Sequence, residues 1–314
     1  MQSAKQCSST MLPEASRSAI AAAVDFGGTK LAIGLVDSMG QVLGSTQIAT
    51  PGGGPAEVAR VAADELIALS KRLGIDPASL SGVGATVPGL ADTQSGVLRF
   101  APTQGWRDVP FAAMLSEAVG LPAFIANDVN ACAIAEQRVG IAKGCSNFLW
   151  ITVSTGIGGA LVLNGRLFEG SRSLAGEIGH MAVALDGPPC GCGRKGCLQA
   201  VASGTAILKV AIERGLDVSS GREVFERALA GDLRAIEIID GAHAYIGLAL
   251  SHAVNLLDLD MIVIGGGVAE GLDVTRLERE VSAHAITLPE HSPPVVRTTL
   301  QSQAALIGAG LLVF

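Results

Sequence analysis

Short apolar runs broken by glycine open the chain. Ala19 to Phe26 is one, Leu31 to Val36 a second, and Gln41 to Ile48 a third after a turn at Asp37-Ser38-Met39-Gly40. Runs of this length between turn residues predict strand, glycine hairpin, strand, turn, strand. Beyond the loop Pro51 to Pro55, the apolar positions Val58, Val61, Ala62, Leu66, Leu69 and Leu73 recur at helical spacing, and Gly74 supplies a stop. Val83 to Val87 reads as a buried strand ending at Pro88-Gly89, and Phe111 to Val119 as a helix. Pro122 to Ala126 predicts a strand that presents Asn127-Asp128 at its end, with a helix over Val129 to Val139.

The pattern then returns. Phe148 to Val153 is a strand, Ser154 to Gly159 a glycine hairpin, Ala160 to Leu163 a strand and Asn164-Gly165 a turn, in parallel with residues 24–42. Such a repeat predicts two α/β halves facing each other across a cleft, an actin-like (ribonuclease H-like) fold. Helices follow over Thr205 to Arg214, Gly221 to Ala230 and Leu233 to Leu256. Met261 to Ile264 is a further strand, ending in Gly265-Gly266-Gly267. The expected organisation is a loose leader (1–19), a first domain (20–128) and a second domain (129–302), with a terminal helix over 303–312 packing back on the first.

Composition narrows the class. At 314 residues, 49% hydrophobic and 16% charged, with 40 glycines, the chain fits two globular α/β domains with many tight turns. A net charge of −7 predicts no nucleic-acid partner. No apolar run reaches the ~20 residues that cross a bilayer, so no membrane partner is expected. Residues 1–19 carry Lys5, Glu14 and Arg17 without a hydrophobic stretch, unlike a signal peptide. A cytoplasmic setting is expected. Thiols stay reduced there, which favours metal binding over disulfides for clustered cysteines.

Three glycine clusters are candidates for holding phosphate. Asp25-Phe26-Gly27-Gly28-Thr29-Lys30 follows a strand, and its glycines let backbone N–H groups approach phosphate oxygens. The Thr29 hydroxyl adds a donor, and Asp25 could face the magnesium shell of ATP. The second hairpin, with Thr155, Gly156 and Gly158, has the same chemistry. The third, Gly265-Gly266-Gly267, lies just past a strand, where α/β folds place ligands. Each also reads as a plain tight turn or close packing. The chain has no G-x-x-x-x-G-K-[ST] string, and its one G-x-G-x-x-G, at Gly191, Gly193 and Gly196, does not follow a strand.

Cys190, Cys192 and Cys197 crowd into a glycine- and proline-rich stretch with His180 ten residues before the first of them. Three thiolates and one histidine make a closed tetrahedral zinc shell with no open position, so a structural zinc is expected. Cys7, Cys132 and Cys145 are isolated, and no partner is legible for His243, His252, His284 or His291. Asp128 sits between a predicted strand and helix, where a carboxylate can take a proton from an attacking alcohol. Asn127 beside it offers a donor and an acceptor. The same pair reads equally well as a helix cap. Glu177 lies in Gly176-Glu177-Ile178-Gly179-His180, so a metal that fixes His180 helps to fix Glu177.

Asp25 to Lys30, Asn127-Asp128, Ser154 to Gly159, Gly176 to His180 and Cys190-Gly191-Cys192-Gly193-Arg194-Lys195-Gly196-Cys197 together resemble the ROK family, from about Ala21 to the C-terminus. The resemblance implies a kinase that binds Mg-ATP between two domains, phosphorylates a hexose at O6, and forms dimers or tetramers. It implies Asp128 as the base, and Gly89, Asn127, Glu177 and His180 as sugar contacts, with Thr103 near the 2-substituent. Where family kinases have a glutamate touching the sugar near C1 and C2, this chain has Gln199, which keeps hydrogen bonding but loses the charge. Family repressors carry an N-terminal helix-turn-helix domain. None is legible here, so a DNA-binding regulator is not expected, and a non-catalytic sugar sensor is the rival.

Overall fold

The computed structural model describes residues 18–286 and 292–314. The expected leader falls almost wholly outside these residues, as do Cys7 and His291. The strands are β1 (Ile20–Phe26), β2 (Lys30–Asp37), β3 (Val42–Ala49), β4 (Val83–Val87), β5 (Leu90–Asp92), β6 (Val97–Ala101), β7 (Trp106–Val109), β8 (Ala123–Asn127), β9 (Phe148–Val153), β10 (Ile157–Leu163), β11 (Arg166–Phe168), β12 (Met261–Gly265) and β13 (Val295–Arg297). The α-helices are α1 (Pro55–Arg72), α2 (Phe111–Val119), α3 (Asp128–Arg138), α4 (Leu198–Ala202), α5 (Gly204–Glu213), α6 (Gly221–Leu229), α7 (Leu233–Leu257), α8 (Val274–His284) and α9 (Ala304–Leu311).

Two five-stranded sheets repeat one plan. Their orders are β3-β2-β1-β4-β8 and β11-β10-β9-β12-β13. In each, an antiparallel meander of three strands is extended by two parallel ones. The weak sequence repeat therefore marks a real duplication of an actin-like α/β unit. The central parallel strand β4 is covered on both faces and buried at every position from Val83 to Val87. The meanders turn on left-handed residues, such as Asn164 (φ 53°) and Gly165 (φ 72°), which suit a two-residue hairpin.

Several elements escaped the sequence pattern. The small antiparallel sheet β5-β6-β7, the strands β11 and β13 and the five-residue α4 are too short to show a period, and α8 was not anticipated. The second hairpin also differs from the expectation. β10 begins at Ile157, so Gly158 lies on a strand paired with Thr152 rather than in the turn.

Helix α3 touches strands of both sheets, β8 and β4 on one side, β9 and β10 on the other, and packs along α9. Helix α9 in turn lies on β1, β2 and β4. The approach is close because the facing residues are small. A methyl group on Gly308 would come within 1.9 Å of the Ala131 carbonyl oxygen, and one on Gly84 within 1.8 Å of that of Ala309. Glu136, fully buried on α3, accepts hydrogen bonds from the Thr298 hydroxyl and from the Ile141 N–H (2.9 Å). Burial raises its carboxyl pKa, against these bonds. His243, which had no legible partner, is a core residue. Its Nδ1 lies 2.8 Å from the Ile239 carbonyl and its Nε2 accepts the Asp273 N–H at 2.8 Å, so it ties α7 to the start of α8 as a neutral ring. Burial lowers its pKa.

Replacing a helical glycine by alanine normally favours the helix by about 1 kcal/mol. At Gly308 the added methyl meets backbone, so Gly308→Ala is expected to destabilise the protein by about 1–3 kcal/mol, the cost of overpacking. Urea denaturation of the two proteins checks the sign.

Candidate active site and metal centre

Asn127 organises the start of α3. Its Oδ1 accepts the N–H groups of Val129 (2.8 Å) and Asn130 (3.4 Å), and its Nδ2 donates to the Gly89 carbonyl at 2.7 Å. The capping reading is thus correct for Asn127. Its acceptor is spent on the helix, and one N–H remains for a ligand, in place of the donor and acceptor expected from the sequence. Gly89, two residues past the end of β4, adopts φ 88°, and a Cβ there would meet the Phe100 carbonyl oxygen at 2.3 Å. Only glycine fits that bend.

Asp128 is the first residue of α3. It is reachable from solvent, yet on its other sides it is crowded by protein. Loss of hydration raises its pKa to about 6, and the charges of Asp25 and Glu177 push the same way, against backbone hydrogen bonds that lower it. Asp25 is held from the neighbouring strand: it pairs with Thr86 in the β1–β4 register, and the Thr86 hydroxyl donates to its Oδ1 at 2.5 Å. Burial raises the Asp25 pKa, and the Thr86 bond opposes the rise.

Each of the first two glycine hairpins leaves backbone donors free. In the first, the Gly27 N–H donates to Lys30 and Thr50 Oγ1 donates to Gly27, while the N–H groups of Gly28 and Thr29 have no acceptor among the described residues. In the second, the Ser154 N–H donates to Gly156, and those of Thr155 and Gly156 are likewise free. The second turn is braced by α5, whose Gly204 N–H donates to Ser154 (2.8 Å) and whose Thr205 hydroxyl donates to Thr155 (2.9 Å). Paired free amides on glycine turns suit an anionic ligand. Thr103 lies against the first hairpin, its methyl 3.9 Å from where a Cβ on Gly28 would sit. Gly158 instead makes room for Val129, 3.1 Å from its would-be Cβ, and so seats the first turn of α3 beside β10.

The third cluster divides. Gly265 is a packing residue, because a Cβ there would strike the Trp150 ring at 2.4 Å. Gly266 bends the chain (φ 98°), and Gly267 is open. All three line a cavity of about 440 Å³ with Arg297, Thr298 and Gln301. A second cavity, about 520 Å³, opens between the small sheet and the loop after β11, where Thr93 donates to Glu169 at 2.7 Å. It contains none of the residues singled out in the sequence, and its walls come from segments with no shared motif.

The loop bearing Glu177 is docked on β10 by glycines. A Cβ on Gly176 would meet the Gly159 carbonyl oxygen at 2.5 Å, and one on Gly179 that of Ile157 at 1.9 Å. This places His180 beside the cysteine knuckle. The ligating atoms of His180, Cys190, Cys192 and Cys197 all lie within 4.8 Å of one another. Cys190 Sγ is 3.7 Å from His180 Nδ1, and Cys192 Sγ is 3.7 Å from Cys197 Sγ. A tetrahedron with Zn–S bonds of about 2.3 Å has edges of about 3.8 Å, so the four residues fit zinc. His180 Nε2 then faces away from the knuckle, 3.8 Å from Glu177 Oε2. Gln199, on α4, donates from Nε2 to Cys190 Sγ at 3.4 Å.

Two expectations follow. The ionised form of Asp128 is disfavoured in the fold, so its folded pKa lies above its unfolded value of about 4. Its contribution to stability is greatest below that value and is lost as pH rises through about 6. Asp128→Asn is therefore expected to raise the melting temperature at pH 8 and to leave it nearly unchanged at pH 4, by an amount reduced by its contact with solvent. Stripping metal with a chelator is expected to release about one zinc per chain and to lower the melting temperature by roughly 5–10 °C, as the loss of a few kcal/mol does in a chain of this size. Elemental analysis and calorimetry check both numbers.

Known proteins are similar to this chain in sequence and fold. The sequence pattern of the ROK family matches residues 21–314. The chain is 34% identical over 311 residues to the glucokinase of Halalkalibacterium halodurans, covering 92% of this chain and 93% of that protein. It is 37% identical over 290 residues to an N-acetylmannosamine kinase of Yersinia pestis, covering 92% and 96%. Among solved structures it resembles the ROK hexokinase of Thermus thermophilus (TM-score 0.82, 35% identity, 93% of this chain and 97% of that one). The Streptomyces griseus ROK glucokinase, solved with glucose and AMPPNP, gives a TM-score of 0.78 at 30% identity, covering 93% and 98%. A ROK transcriptional regulator matches at TM-score 0.85 and 26% identity, with this chain spanning 95% of itself and 78% of the regulator. Matched along nearly its whole length in both sequence and fold, the chain belongs to the ROK family.

Proposed function

We propose that the chain is an ATP-dependent sugar kinase that transfers a phosphoryl group to the O6 hydroxyl of a hexose or N-acetylhexosamine. The observation that carries this reading is Asp128: a carboxyl at the β8–α3 junction with its pKa raised to about 6, chiefly by loss of hydration and further by the charges of Asp25 and Glu177. Such a group is mostly ionised at neutral pH yet more basic than an ordinary aspartate, as a general base should be. Asp128 takes the O6 proton as that oxygen attacks the γ-phosphorus. The new O–P bond forms while the bond to the β-phosphate oxygen breaks, and ADP leaves.

The free amides of Gly28, Thr29, Thr155 and Gly156 hold the phosphates, with Lys30 and the Gly266–Gly267 bend completing the nucleotide side. Asp25 is the carboxylate available to the magnesium shell of ATP. The remaining N–H of Asn127, together with Glu177, His180 Nε2, Thr103 and Gln199, is available to sugar hydroxyls. Zinc, when bound, supplies a fixed anchor for the His180 loop and for Cys190, Cys192 and Cys197. No helix among the described residues is long and apolar enough to cross a membrane. Reduced thiols at the knuckle suit a cytoplasmic setting. A dimer or tetramer is expected, and sedimentation checks it.

The rival reading is a non-catalytic sugar sensor, favoured by Gln199 and by the likeness to a regulator. A coupled ADP-release assay across hexoses and N-acetylhexosamines separates the two, and replacing ATP by polyphosphate tests the donor. Turnover of at least one sugar is expected, with kcat/KM falling as pH drops through about 6, where Asp128 gains its proton. Asp128→Ala should reduce kcat by at least ~100-fold with the fold intact, the usual scale for loss of a general base. Binding without turnover on every sugar supports the sensor; an active Asp128→Ala variant removes Asp128 from its role.

A further inference from the structure

Glu136 ties together the two stretches of backbone that run between the sheets. The chain leaves the first sheet at β8 and reaches β9 of the second through α3 and residues 139–147. It returns from β13 through residues 298–303 to α9, which lies on β1, β2 and β4. Glu136 is fully buried on α3 with one oxygen on each path. Oε2 accepts the Ile141 N–H of the outward path at 2.9 Å, and Oε1 accepts the Thr298 hydroxyl of the return path. Gly140 leaves room for the carboxyl, since a Cβ there would meet its Oε2 at 2.0 Å. Among the described residues, no other side-chain hydrogen bond joins α3 to residues 298–303.

Thr298 also faces the third glycine cluster. Its N–H donates to the Ile264 carbonyl at 3.0 Å, its Oγ1 accepts the Leu300 N–H at 3.0 Å, and its methyl lies 3.2 Å from where a Cβ on Gly265 would sit. It lines the cavity of about 440 Å³ together with Gly265, Gly266, Gly267, Arg297 and Gln301. Gln301 holds a left-handed φ of 50°, which a residue with a side chain keeps only where its surroundings fix it.

We infer that Glu136 and Thr298 are a positioning pair that transmits occupancy of this cavity to the helix that carries Asp128. The identity of the occupant, a nucleotide, and the role of Asp128 rest on the kinase reading; the link between cavity and helix does not. A nucleotide entering the cavity meets Thr298, whose methyl, hydroxyl and amide are all engaged. Thr298 therefore shifts with its segment rather than alone, and Gln301 is the place where the backbone has strain to release. Glu136 follows the hydroxyl. Asp128 lies eight residues away on the same rigid helix, about 12 Å along its axis, so a displacement of Glu136 is carried to it.

The chemistry calls for a carboxylate. Two donors from two segments converge on Glu136, and both of its oxygens are acceptors. Glutamine has one acceptor and would turn an N–H toward a donor. At position 298 the hydroxyl is the group that matters, because valine has the same shape without it.

The test uses Thr298→Val, which removes the hydroxyl, Thr298→Ser, which keeps it, and Glu136→Gln. Melting curves confirm that each is folded. Hydrogen exchange of the α3 amides over residues 129–135 is followed with and without Mg-AMPPNP, with calorimetry to confirm binding. In the wild type and in Thr298→Ser, the nucleotide is expected to slow exchange by about fivefold or more, the lower scale of coupling between distinct sites. In Thr298→Val and Glu136→Gln the slowing is expected to be lost although the nucleotide still binds. Glu136 does not line the cavity, so Glu136→Gln decides the matter if Thr298→Val no longer binds. A tie that is merely structural lowers the melting temperature and leaves the slowing intact. Slowing of wild-type size in both Thr298→Val and Glu136→Gln overturns the inference, as does a wild type that shows none or that does not bind Mg-AMPPNP. A wild type that shows the slowing but turns over no sugar refutes the kinase reading and leaves the link between cavity and helix standing.

Discussion

The side chain of Asn127 joins three pieces of backbone: the end of β8, the first turn of α3 and the Gly89 bend after β4. Asp128 takes its position from that junction. The cap orients the helix, the helix starts with the carboxyl, and the Gly158–Val129 contact seats the same turn against β10 in the other sheet. A carboxyl placed there cannot be fully hydrated, and it shares its surroundings with Asp25 and Glu177. Its raised pKa is thus a result of architecture rather than of any one neighbour.

Small residues provide much of the closeness that the site needs. Gly84, Gly308, Gly176 and Gly179 each bring backbone to distances that a methyl group would forbid. Two of these approaches pack α9 against β4 and α3. The other two lay the Glu177 loop on β10. The high glycine content of the chain has a structural purpose beyond turns, since it lets sheets, crossover helices and loops meet without side chains between them. The cysteine knuckle extends this economy to a stretch with little apolar content, where four side chains that fit a zinc ion gather in place of a core.

The same geometry divides the labour of His180. Nδ1 faces the knuckle, and Nε2 faces Glu177. Gln199 approaches the same centre from α4. Two side chains on separate elements are therefore positioned by one cluster.

The sequence by itself determined whatever is written locally. Strand and helix periods gave β4, α2 and β9 to the residue, and the repeated strand–hairpin–strand pattern marked where the second sheet begins. Ligand type and spacing gave the Cys190–Cys197 knuckle and its histidine, since short-range chain geometry limits where four donors can meet. Only the tertiary structure decided which glycines face a ligand and which face packing: Gly267 is open, while Gly265 lies against Trp150 and Gly158 against Val129. It alone showed that the acceptor of Asn127 is spent on a cap, that Glu136 and His243 are buried ties, and that Thr93 reaches Glu169, 76 residues away. The physical reason is separation along the chain. A period or a ligand spacing lies within one segment and leaves a local trace, whereas a contact between distant segments exists only once both sheets and their crossover helices have packed.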